Sequence, residues 1–167
     1  MDINNLKLSE ELLTNLYPSV LIQDAFAPSK LAQSPKKTSK NYLGNNSRHI
    51  LICCRFGQAA FIPDADLEFL TSILGACKLS LGDVAILNLH GKEPAEAAVL
   101  IRELLPETVL LFGIHTNEID LPVRFPMFQR QSLQNRLYLA APPLEDIKNS
   151  KDLKQQLWGA LRLIFKI

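Results

Sequence analysis

Acidic residues are missing from a long stretch of this chain. Between Ala25 and Pro63 there is none, against Lys30, Lys36, Lys37, Lys40, Arg48 and Arg55. The net charge of +1 conceals this basic block, which suits contact with a phosphate backbone but would equally serve to keep a face in water. Cysteine is scarce as well: Cys53, Cys54 and Cys77 are too few for a disulfide framework, and adjacent Cys53 and Cys54 in an apolar run read as small strand residues. No apolar run approaches the roughly 18 to 20 residues of a membrane span. The opening MDINNLKLSEELL has neither the basic start nor the apolar core of a signal peptide, so a cytoplasmic location without membrane contact is expected. Gly-x-Ser-x-Gly is absent, and Gly91-Lys92 lacks the preceding glycines of a phosphate loop.

What is present is the mixture of a globular protein, 47% apolar and 21% charged over 167 residues, enough for one well-buried domain. Residues 1–26 form an N-terminal element. Within it LSEELLTNLY offers Ser9 as a helix cap and Leu12, Leu13 and Leu16 on one face, before Pro18 ends the helix. Residues 27–47 are rich in Pro, Ser, Lys and Asn with little to bury, and read as a flexible basic linker. From residue 48 to 167 the texture is that of a folded domain. HILICC, DVAILNL and TVLLFG are buried strands, the last ended by Gly113. Between them lie the helices DADLEFLTSILGACK, with Asp64 as its cap, and PAEAAVLIRELL, with Pro94 in its first turn. FQRQSLQNRLYLAA reads as a strand or hairpin. SKDLKQQLWGALRLIF is a final amphipathic helix turning Leu153, Leu157, Trp158, Leu161 and Ile164 to a core. Alternating strands and helices predict a three-layer α/β fold with a central, mainly parallel, four-stranded sheet.

LEFLTSILGACKLSLGDVAILNLHGKEPAEAAVLIRELLPETVLLFG, followed by LAAPPLEDIKNSKDLKQQLWGALRLI, resembles the uracil-DNA glycosylase superfamily. The likeness lies in a strand ending in Asn88, a proline-capped helix, and a proline-rich loop before a Lys-x-x-x-Trp-x-x-Leu helix. It implies an active site at the carboxyl ends of the strands, and also shows what this chain lacks. The family's water-activating loop reads Gly-Gln-Asp-Pro-Tyr or Gly-Glu-Ala-Pro-Gly. Here Arg55-Phe56-Gly57-Gln58-Ala59-Ala60 has no carboxylate before Asp64. The family's His-Pro-Ser loop stabilises charge on the leaving base; here Ala141-Pro142-Pro143 keeps the proline and loses the histidine. Removing one such donor costs about two to three orders of magnitude in rate. Three cysteines exclude the four-cysteine cluster of some branches, so no cofactor is expected.

The chain also resembles the psi-subunit family of bacterial DNA polymerase III, which shares the fold without the activity. That resemblance implies a non-enzymatic replication or repair accessory protein. Leu12, Leu13, Leu16 and Tyr17 would dock on a clamp-loader or single-strand-binding partner, the alternative being that they pack on their own domain, and Lys36, Lys37, Lys40 and Arg48 could add weak contact with DNA. Phe56, Gln58, Asn88, His90, His115, Ala141 and Pro142 would then line a degenerate pocket. The alternative is a divergent glycosylase in which Asn88 reads the base and Gln58 or Asp64 places water. Asn88 could equally cap a turn before Gly91. A metal held by Cys54, His90 and His115 is not expected, because no paired histidine spacing supports it. Phe125, Met127 and Phe128 form either an exposed partner-binding loop or one folded back on the sheet edge.

Overall fold

The computed structural model describes residues 40–167. Six strands occur there: β1 (Leu43–Gly44), β2 (Ile50–Cys54), β3 (Val84–Asn88), β4 (Thr108–Phe112), β5 (Arg130–Leu133) and β6 (Arg136–Ala141). The helices are α1 (Asp64–Ala76), α2 (Pro94–Glu103), α3 (Leu144–Asn149) and α4 (Lys151–Phe165), with a 3-10 turn at Thr116–Ile119. The protein is thus α/β, with a mixed six-stranded sheet in the order β1-β3-β2-β4-β6-β5. The inner four strands run parallel, and β1 and β5 pair antiparallel at the edges.

Strands covered on both faces need apolar residues at every position, and β2, β3 and β4 are buried throughout. Alternation along them divides the core in two. Ile50, Ile52 and Cys54 face Leu70 and Leu74 of α1, Ile147 of α3 and Leu157 and Leu161 of α4. Leu51 and Cys53 face Ala97 and Ile101 of α2 and Ile119 of the 3-10 turn. Pro94 occupies the first position of α2, as expected, and Ser150 caps α4 by accepting from the Leu153 N–H at 3.4 Å. The hairpin joining β5 to β6 turns on Gln134 and Asn135, both at positive φ, which matches the twist of antiparallel strands.

Several expectations are corrected. Two edge strands join the four predicted: β5, because the stretch read as a strand or hairpin is a hairpin, and β1, which lies inside the segment read as a linker. Leu43–Gly44 pairs with β3, and Gly44 has φ +105 and a Cβ there would sit 2.2 Å from the Val84 carbonyl oxygen, so only glycine fits. Asp64 is the first helical residue of α1 rather than its cap; Pro63 holds that position with no side-chain bond. Trp158 is not a core residue: it is 38% exposed, whereas Leu157 beside it is 2% exposed. Phe125 folds back, its ring 5.2 Å from that of Tyr138, and Phe128 packs on the core beneath the other sheet face, leaving Met127 exposed. The helix expected over residues 8–17, with Leu12, Leu13, Leu16 and Tyr17, lies outside the described residues, as do Lys36 and Lys37.

Candidate functional site

In an open α/β sheet, ligands gather beyond the carboxyl ends of the strands where the winding direction reverses. Here β2 has β3 on one side and β4 on the other, so that place lies between the loops following β2 and β4. Arg55 leaves the end of β2 and pairs with Glu118 of the 3-10 turn, joining the two loops across this point. The other oxygen of Glu118 accepts from the His115 N–H at 3.1 Å.

Asn88 ends β3 and is 8% exposed. Its Oδ1 accepts from the backbone N–H of Phe56 at 3.1 Å and of His90 at 3.0 Å. Its Nδ2 donates to the carbonyl oxygens of Phe56 at 2.8 Å and Ala59 at 2.9 Å, with a longer contact to Ala60 at 3.5 Å. A primary amide has two donors and two acceptor lone pairs, and all are occupied by this chain's own backbone. Asn88 therefore braces the loop at residues 55–60, and its bond to His90 is the local turn the sequence also allowed. The His90 side chain lies over Gly57, where a Cβ would be 3.2 Å from its ring.

Of the seven residues expected to line one pocket, three fall in two clefts that have no lining residue in common. The first, about 550 Å³, lies between the loop after β2 and the start of α3 and includes Phe56 and Gln58. Its charged walls are Arg55, Asp66, Glu145 and Lys148, and Lys148 reaches Asp66 at 3.7 Å. The second, about 510 Å³, lies over the end of β6 beside the 3-10 turn and includes His115. Asn88, His90, Ala141 and Pro142 line neither. Ala141 is buried, Pro142 is half-buried, and neither side chain offers a hydrogen-bond donor. Gly113 makes the close approach to this corner: with φ +66, its Cβ would lie 2.8 Å from Pro143 Cγ.

Sequence reasoning missed Arg55, Asp66, Glu118 and Lys148, whose roles arise only when separate loops meet. Glu145 sits exposed in the first turn of α3 and lines the first cleft. Among the described residues no group of three His, Cys, Asp or Glu is placed to hold a metal ion. Cys54 is buried, its pKa pushed up to about 12 by loss of hydration and secondarily by the Asp66 carboxylate. Burial raises the Cys53 thiol too, with Cys54 adding to it, and neither is an activated nucleophile. Arg48 is exposed and lies 3.7 Å from Asp83, whose carboxyl is held below its ordinary range by the Ser80 N–H and hydroxyl, with Arg48 adding to it. Lys40 is exposed at the start of the described region.

No family model matches the chain, and no curated protein sequence matches it.

Proposed function

We propose that this chain is a non-enzymatic accessory protein of DNA replication or repair, built on a uracil-DNA-glycosylase-like domain whose chemistry has been lost. The saturation of Asn88 carries this reading. In the superfamily that the sequence resembles, the amide at this strand end reads the base; here its four hydrogen-bonding positions are taken by Phe56, Ala59 and His90. The parallel inner order β3-β2-β4-β6 supports the likeness of fold. Ala141 and Pro142 supply no donor for a leaving base, and Asp66, one of the two carboxylates of the first cleft, is paired with Lys148.

Function then resides in binding. Leu12, Leu13, Leu16 and Tyr17 engage a protein of the clamp-loader or single-strand-binding machinery, while Lys36, Lys37, Lys40 and Arg48 add weak, salt-sensitive contact with DNA. The psi-subunit-like role accounts for an amphipathic segment too short to hold a helix alone. The test is recovery of partners from the native cell with the tagged full chain and with its Leu12→Asp, Leu16→Asp variant. Clamp-loader or single-strand-binding proteins should accompany the first and not the second; recovery with neither sinks the proposal. In parallel, a uracil-release assay on single- and double-stranded oligonucleotides should stay blank. Release that disappears in Asn88→Ala would instead establish a divergent glycosylase.

A further inference from the structure

The second cleft has a chemistry that the proposed function does not use. It is open rather than enclosed: His115, Asn117, Pro122, Val123, Arg124 and Met127 on its walls are all exposed. Small ligands are usually buried over most of their surface, so this trough suits a chain segment better than a metabolite. Arg124 is the one arginine or lysine in its lining, and no Asp or Glu lines it. Arg124 makes no ion pair among the described residues. The nearest acids before it in sequence are Asp120, which is exposed, and Glu118, engaged by Arg55.

Two polyanions could answer such a surface. Single-stranded nucleic acid is held by stacking its bases on exposed aromatic rings. Here Phe125 is turned onto Tyr138, and the large apolar groups left exposed are aliphatic, Val123 at 44% and Met127 at 46%. Aliphatic side chains beside the unpaired Arg124 guanidinium match a peptide that carries carboxylates between apolar residues. We infer that the cleft formed by His115, Asn117, Val123, Arg124 and Met127 is a docking site for an acidic, apolar peptide segment of a partner protein. The inference does not rest on the replication reading, because it concerns a different surface.

Fluorescence anisotropy on the full chain tests it, with a labelled peptide pool alternating Asp or Glu with Leu, Ile or Val. Saturable binding is expected, weakened at least about tenfold by Arg124→Glu, the loss of one charge-assisted contact with repulsion added. Arg102→Glu on α2 makes the same charge change at another exposed site and should leave binding unaltered. A pool with Asn and Gln in place of the acids should bind much more weakly. Absence of saturable binding, indifference to Arg124→Glu, or equal loss in Arg102→Glu would overturn the assignment. So would oligothymidylate binding with the same dependence on Arg124, which would give the surface to nucleic acid.

Discussion

Asn88 illustrates how a polar side chain at a strand end can be spent on the fold. Asn88→Ala should destabilise the domain by about 2 to 4 kcal/mol, since it strands partly buried N–H and C=O groups of residues 56, 59 and 90. Asn88→Asp keeps the acceptors but turns a carboxylate toward the Phe56 and Ala59 carbonyls, so it should not restore stability. Urea unfolding of the three proteins decides this; an unchanged midpoint for Asn88→Ala would free the amide for a ligand. The buried thiols set a pH limit. With Cys54 raised from 9.0 to about 12 in the fold, the unfolded chain releases its protons first as pH climbs. Stability is therefore retained below about pH 9 and falls progressively through the window up to about pH 12. Urea midpoints at successive alkaline pH values should show that decline, and a thiol reagent should label Cys53, Cys54 and Cys77 quickly only after unfolding. Trp158 is the chain's single tryptophan, so acrylamide should quench its emission readily in the native state. Truncating it to Ser should cost less than Leu157→Ala, for which about 2 to 5 kcal/mol is usual at a buried site.

At the level of elements, Gly44 is the sharpest constraint. Gly44→Ala forces a methyl group onto the Val84 carbonyl at a backbone angle that L residues avoid, and should cost about 2 to 3 kcal/mol or detach β1. Hydrogen exchange at β3 would register the detachment. This element also marks where reading from sequence ends. ILICC, VAILN and TVLLF were legible because burial on both faces leaves an unbroken apolar signature, and α2 and α4 because their periodicity is helical. A two-residue strand has no periodicity; Leu43–Gly44 exists only through its pairing with Ala85 and Ile86. Trp158 obeyed the helical spacing but lies at the margin of the buried stripe, which spacing alone does not resolve. At the site, the position of Asn88 was readable and its use was not, because its partners lie about thirty residues away in sequence. The division of the expected pocket into two clefts was hidden for the same reason.

For the molecule as a whole, the uneven charge along the chain becomes an experimental handle. If the basic residues bind DNA and Leu12 and Leu16 dock on a protein, raising salt from low to physiological strength should weaken the first contact steeply and change the second little. Measuring both partners across one salt series separates the two contributions. The sheet also settles a hazard inherent in its own composition. Its inner strands are short, apolar and nearly uncharged, the kind of segment that stacks between chains when an edge is left available. Here one border is only two residues long, and the other is the polar sequence RQSL led by an arginine. Each edge refuses a further strand, so the aggregation-prone centre is fenced by its own margins. A charge-removing, β-favouring change such as Arg130→Val would open that fence. Concentrated solutions of the variant should then form thioflavin-positive assemblies that the parent chain does not.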